Sequence, residues 1–439
     1  MNKVSVLLFM GLLITALGLQ ATKGYVLNGN NNNIVIFDGS TDTVTVLVSD
    51  PGLLINASEF IAVTPDGTKA YVVNNGNNTV SIINVATDTV TGNVTDSGTT
   101  FHFPFEVAIT PDGTKAYVAN SRSVSVIDVA TDTVTGNVTP NTFNTLNFVI
   151  ISPDGTKAYV LNQPLISIVN VATNTVTGVV NANGFDITNL AYMAVFSPDG
   201  TKAYVINPST PSVLIIDVAT DTIIGAVTDP SSTFNSPYGL AITPDGTKLY
   251  VSNNNNTISV VNTATETVID AVTVLLAEDN FGITMNPEGT KLYIPTAFNN
   301  RVNIVTVASD TLTGMVTDPN TNFVGPSFVS FVPLSQQPIS SLNVVTGCKK
   351  SNVFLTQTEY FNVITWQAQL TTPVRYDIFR DAALTDLAGS VGPNSLQFTD
   401  HNRKSYVTYT YYVVAVYPTT TTFVGSVTIT KKCARSSKS

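Results

Sequence analysis

The sequence predicts an all-β chain, a seven-bladed β-propeller with a smaller immunoglobulin-like β-sandwich at its C-terminal end. Three observations lead there. The ten residues PDGTKAYVAN, Pro111 to Asn120, recur almost unchanged at Pro65, Pro153 and Pro198. The tyrosine of this stretch falls at Tyr25, Tyr71, Tyr117, Tyr159, Tyr204, Tyr250 and Tyr293, at spacings of 46, 46, 42, 45, 46 and 43 residues. A fixed period in this range marks a solenoid or a propeller. Only 11% of the residues are charged, while Thr, Asn and Val abound, a composition that suits a β-rich extracytoplasmic protein.

The chain opens on a secretory pattern. Lys3 is the only charge before an apolar run from Val4 to Leu17, and small residues close it near Gly18 and Ala21. Residues 1–21 are therefore expected to be a signal peptide, leaving no transmembrane segment after cleavage. The protein is expected to be exported, to the periplasm or to the cell surface and medium.

Within each repeat, four short apolar alternations are separated by turn residues. In the third they are EVAIT (106–110), KAYVA (115–119), SVSVIDV (123–129) and TVTGNV (133–138). Alternation with period two, rich in Val, Ile, Thr and Tyr, reads as strand, and four strands per repeat describe a propeller blade. In TPDGT, Pro presets φ, Asp favours the next turn position, and Gly takes the left-handed conformation at the bulge of a three-residue hairpin loop. In VATDTV, Asp88, Asp132, Asn174, Asp221 and Glu266 mark a second hairpin turn.

The ends of the repeat array close the ring. The first repeat starts at TKGYV and lacks its leading strand, and the missing piece, FVSFVP, comes after the last repeat. Pro333 lies 46 residues beyond Pro287, the repeat's own spacing. The C-terminal strand is thus expected to complete the first blade, giving seven blades over residues 22–337 with few free sheet edges. The text AYVVN…NTVSIINVATDTVTGNV resembles the YVTN repeat of bacterial and archaeal surface and periplasmic β-propellers, also called YncE-like. That resemblance implies surface-layer, adhesive or ligand-binding roles, or lactonase and electron-transfer-associated ones. It carries no family-wide set of catalytic residues.

Residues 338–434 abandon the repeat, and residues 435–439 form a tail. NVITWQA, VRYDIFRD and VTYTYYVVAVY read as strands whose order resembles a fibronectin type III sandwich, with Trp366 as core aromatic and Tyr409 as tyrosine corner. The only cysteines, Cys348 and Cys433, flank this module. An even count in an exported chain predicts a disulfide, worth about 4–5 kcal/mol by chain entropy. Charge changes at the same boundary. Residues 22–337 hold 9 Lys/Arg against 25 Asp/Glu, whereas residues 338–439 hold 10 against 5. The acidic propeller should repel nucleic acid and anionic membrane.

Topology says where ligands would bind. The PDGT and ATDT turns line one face of the ring; the hairpins between second and third strands and the loops between blades line the other, variable face, where binding is expected. Candidates there are Arg122 and Arg301, the only basic residues of the propeller outside the repeated Lys, with His102, Phe101, Phe103, Phe234, Tyr238 and Phe323. Either Arg could anchor a carboxylate bidentately or pair with Glu59, Glu106, Glu278 or Asp279. Asp50, Asp96, Asp229 and Asp318 hold equivalent places in the inter-blade loops. They could hold Ca²⁺ as a ring of carboxylates, or each could cap its own turn. The Asn-rich loops at 28–33, 74–78 and 253–256 could equally serve tight hairpins or a sugar- or peptide-binding surface.

No GxSxG, HExxH or phosphate-cradling loop occurs, and the two histidines, His102 and His401, lie in different modules. The sequence thus points to an exported, non-enzymatic binding or scaffold protein that takes an envelope glycan or a protein partner and needs no cofactor. A lactonase-like hydrolase and a surface-layer component tiled through apolar outer-strand residues such as Ile223 and Ile224 are the alternatives.

Overall fold

A computed structural model of the chain describes residues 22–52, 54–96, 101–138, 146–187, 193–208, 210–231, 233–274, 282–320 and 322–333, and beyond them seven strands between residues 343 and 429. The expected signal peptide, Trp366, His401, Cys433 and the tail lie outside the described residues, so the disulfide expectation does too. No helix among the described residues is long and apolar enough to cross a membrane.

Seven four-stranded antiparallel sheets form the blades of one propeller. Blade 2 is typical, with strands Ser58–Val63, Lys69–Asn74, Thr79–Asn84 and Thr89–Asn93 in spatial order from the channel outwards. In blade 1 the innermost strand is Pro326–Phe331, paired antiparallel with Lys23–Asn28. The ring is therefore closed by the last propeller strand, as the displaced FVSFVP predicts. The alternation of each second strand is nearly lost to burial: Tyr71, Val72 and Val73 are all buried, because a blade is covered on both faces by its neighbours.

One contact repeats around the whole circle. The Lys at the start of each second strand, and in every blade but the fifth also the Tyr two residues later, hydrogen-bonds the turn between the third and fourth strands of the next blade. Lys69 Nζ lies 2.7 Å from Asp132 Oδ2, and Tyr71 OH donates to Asp132 Oδ1 at 2.5 Å. Lys23 and Tyr25 share Asp88, Lys157 and Tyr159 share Asp221, and Lys248 and Tyr250 share Asp310. Lys291 and Tyr293 of blade 7 share Asp42 of blade 1, which seals the ring. Lys202 pairs with Glu266, and Lys115 and Tyr117 meet the neutral Asn174. The turn residues read only as hairpin markers are thus also inter-blade acceptors. Their left-handed backbone, φ 54° at Asp88 and Asp132, aims the carboxylate at the neighbouring blade. Burial, and then the Asp132 hydrogen bond and charge, push the Tyr71 phenol up, whereas Tyr117 rises only to about 12 from burial and the charge of Asp112.

Two further devices lock the blades. At five junctions among the described residues the backbone leaving an outer strand pairs with the next blade, as where Ser49 N–H donates to Asp88 O at 2.9 Å and Val90 N–H to Ser49 O at 2.8 Å. The PDGT turns also stack. A Cβ on Gly113, at φ +70°, would lie 3.5 Å from Pro65 Cδ of the preceding blade. These turns differ from the expected three-residue loop. Four residues, Pro65 to Thr68, are spanned by Thr64 N–H to Lys69 O at 2.8 Å, and Gly67 holds φ +68°. The Asp66 carboxylate, accepting from Thr64, Thr68 and the backbone, replaces the bulge.

Outer strands expose Ile224, Ile269, Leu312 and Met315, while Ile223 points inward and is buried. Each outer pair carries a bulge, between Ile82 and Ile83 in blade 2, which twists the free edge and discourages edge pairing. After the propeller, strands Asn343–Lys350, Thr358–Thr365 and Gln397–Asp400 pair in one sheet. Leu387–Val391, Arg375–Phe379, Tyr409–Val416 and Thr421–Ile429 pair in another.

A clasp of this kind contributes on the order of 1–2 kcal/mol, since the pair is partly solvated but accepts a phenol as well. Tyr71→Phe should therefore lower stability by about 1–2 kcal/mol, and Tyr117→Phe by less because its acceptor is an amide. Asn174→Asp should raise stability by up to about 1 kcal/mol through a new pair with Lys115. Denaturation midpoints of the three variants check this order.

Candidate functional site

Because strands alternate in direction, the PDGT and ATDT turns share one face and the second-to-third-strand hairpins share the other with the inter-blade loops. The described propeller begins at Thr22, just before a second strand, and its last inner strand ends at Phe331. Both ends of the described propeller therefore lie at the PDGT face.

The inter-blade loops are built around their aspartates. Asp50 accepts the Leu54 and Ile55 N–H groups at 3.0 and 2.8 Å, Asp229 the Phe234 N–H at 2.7 Å, and Asp318 the Phe323 N–H at 2.7 Å. Asp96 stands in the same place ahead of Phe101. The hydrogen bond turns Phe234 and Phe323 inward, and Phe101, Phe234 and Phe323 are all buried between blades. This corrects their assignment to a ligand surface: they are loop anchors in the core. Asp50, Asp229 and Asp318 likewise spend their carboxylates on their own loops. Among the described residues, no group of three or more His, Cys, Asp or Glu side chains is arranged to hold a metal ion.

The asparagines are also structural. Asn74, buried at the end of its strand, accepts the Asn56 N–H at 3.2 Å and donates to Ser81 Oγ at 2.8 Å, and Asn253 repeats this with Asn235 and Ser259. In blade 7, Thr296 and Asn303 replace the Asn and Ser, and Asn303 Nδ2 is buried without a hydrogen-bond partner. Asn32, Asn78 and Asn300, all at positive φ in hairpin turns, each cap an amide of the next inter-blade loop: Ala57, Phe103 and Gly325, at 2.8, 2.7 and 2.8 Å.

These bonds leave few candidates projecting. Phe103 is 55% exposed. Beside it His102 is exposed, with ring centroids 4.8 Å apart and edge to face. His102 Nδ1 lies 2.9 Å from Ser121 Oγ, and Ser121 N–H donates to His102 O at 3.0 Å. Next to Ser121 is Arg122, exposed at the tip of a two-residue hairpin closed by Asn120 N–H to Ser123 O. His102, Phe103 and Arg122 are thus brought to one place, the junction of blades 2 and 3. Arg301 is half-buried at the start of the third strand of blade 7, separated from Arg122 by blades 1 and 2 on the shorter path. Tyr238 is half-buried. Neither Arg pairs with Glu59 or Glu106 among the described residues, and Glu278 and Asp279 lie outside them.

Sequence reasoning passed over two features. Phe298, in the short 3₁₀ turn Ala297–Asn299, is 81% exposed on the variable face; a Phe in an AFNN hairpin tip was the available signal. Glu106 lies in the layer of inner-strand residues placed five before each turn proline, with Phe60, Phe148, Met193, Gly239, Gly282 and Phe328. Phe60 reaches Phe328 at 4.4 Å and Phe148, two blades away, at 5.6 Å, which fills the channel here with rings. Only 5% exposed, Glu106 accepts the Val149 N–H at 3.0 Å. Burial pushes its carboxyl well above the usual range, and the Val149 bond opposes this only partly.

The fold and face geometry define a seven-bladed β-propeller. Residues 28–180, about a third of the chain, match the family model described as "Lactonase, 7-bladed beta-propeller". No curated protein matches. Among solved structures, hydrazine synthase of Kuenenia stuttgartiensis is similar at 20% identity and TM-score 0.56, over 65% of this chain and 92% of that one. A functionally unknown protein of Desulfotomaculum acetoxidans is similar at 17% identity and TM-score 0.56, over 71% and 99%. At such identities these likenesses bear on the fold alone.

A carboxyl whose folded pKa lies above its unfolded value costs stability as pH climbs from the unfolded pKa towards the folded one, and the cost levels off above the folded pKa. Glu106→Gln keeps the acceptor for Val149 and cannot ionise. Its melting temperature should therefore equal that of the parent near pH 4 and exceed it increasingly towards pH 8. A constant difference across that range would show that the carboxyl does not titrate differently on unfolding.

Proposed function

We propose that the chain is an exported, non-enzymatic binding or scaffold protein that offers the variable face of its propeller to an envelope glycan or protein partner. The observation that carries this reading is the departure of both propeller ends from the PDGT face. The chain enters and leaves the ring on that face, and the loops that differ between blades lie on the other. The C-terminal strand pairing, three strands in one sheet and four in another, supports a fibronectin type III-like module that spaces or docks the ring.

Affinity capture from an envelope extract of the native organism, with the full chain as bait, tests the face assignment. Phe298→Ala or Arg122→Ala should reduce the retained glycan or protein, whereas Asp66→Asn on the opposite face should not. Retention that follows Asp66 and ignores the variable-face variants would defeat the reading.

The match of residues 28–180 to the lactonase propeller model supports a hydrolase as the second reading. It would require turnover of a lactone by the purified chain, lost on changing the inner-strand acids Glu59 or Glu106.

A further inference from the structure

We propose that His102, Phe103 and Arg122 form a contact site for a uronate-bearing polysaccharide; the inference rests on the variable-face reading above. Phe103 sits at a backbone position that recurs in the inter-blade loops. Its counterparts, each just before the inner strand, are Ala57 at φ 46°, Ser236 at φ 44° and Gly325 at φ 64°, whereas Phe103 itself is at φ 47°. A left-handed position disfavours a bulky side chain, and the other three described loops fill it with small residues. Blade 3 places a phenyl ring there, leaves it more than half exposed, and clamps its amide to Asn78 Oδ1 at 2.7 Å. The ring's direction is set from below by the clamp and from the side by the His102 edge. Such an anchor loses little freedom on binding.

The surrounding chemistry selects the ligand class. Arg122 has no ion-pair partner among the described residues and, unlike the repeated lysines, is not consumed by a clasp. Its guanidinium suits a planar carboxylate. Ser121 and the His102 ring add polar groups beside it. There is no free strand edge here, since the exposed edges run along the outer rim, so a peptide backbone finds no ladder to join. A single ring face flanked by point donors instead fits a pyranose, whose C–H face packs on the phenyl while its carboxylate meets Arg122.

Binding of the full chain to polygalacturonate, by calorimetry and affinity electrophoresis at physiological salt, where the acidic propeller's long-range repulsion of a polyanion is screened, tests this. Phe103→Gly and Arg122→Gln should each weaken binding roughly tenfold or more, and the methyl-esterified polymer should bind far less well. Phe103→Gly restores the residue that Gly325 places at the equivalent position, so loss of binding cannot be laid to a misfolded loop. Absence of polygalacturonate binding, affinity unchanged in both variants, or equal binding of poly-L-glutamate would overturn the proposal. If polygalacturonate fails while envelope capture still depends on Phe298, the variable-face reading stands without this site. If capture fails for every variable-face variant and the parent alike, both fall.

Discussion

The contact on which the rest of the structure depends is the Lys–Tyr–carboxylate clasp between successive blades. A four-stranded blade cannot bury both of its faces alone, so its stability comes from neighbours, and a ring demands that every junction accept the same angle. Lys69 and Tyr71 against Asp132, and Lys291 and Tyr293 against Asp42, impose that angle through a two-donor hydrogen bond. The requirement explains the repetition of KAYV. Each residue of it is either strand core or half of a junction, and drift at any one blade would open the circle. Asn174 and Glu266 show the tolerance, since an amide or a longer acid still accepts from the neighbouring Lys.

The opposite face obeys a second set of constraints that look like freedom in the sequence. Its loops vary in text, yet Asp50, Asp229 and Asp318 close them from within, and Asn32, Asn78 and Asn300 bolt them from the neighbouring blade. Most polar side chains there are committed to the scaffold. What remains for a ligand is the small set that the bonding leaves standing, Phe103 with His102 and Arg122 on one side of the ring and Phe298 on another. A rigid platform with a few fixed projections suits recognition, because little ordering is left to be done on binding.

Glu106 is the exception inside the platform. It occupies a layer otherwise filled by Phe60, Phe148, Phe328 and smaller apolar residues, and it has one backbone donor for company. Its neighbours in sequence, Phe103 to Phe105, run from the exposed loop into the channel. The exposed ring of Phe103 is thus three residues from the buried carboxyl of Glu106.

Much of this was legible in one dimension. The period of the tyrosines, the alternation between turns and the displaced FVSFVP strand determined seven blades and their closure, because those signals are local or exactly repeated and need no knowledge of partners. The two faces followed from strand direction alone. The fate of individual side chains did not. Phe101 and Phe103 stand two residues apart in the same aromatic stretch, yet one is in the core and the other in solvent. The partner of Tyr71 lies 61 residues away, and Glu106 is buried by residues from other blades. Burial and pairing at these positions are set by contacts between blades, which only the closed ring brings together.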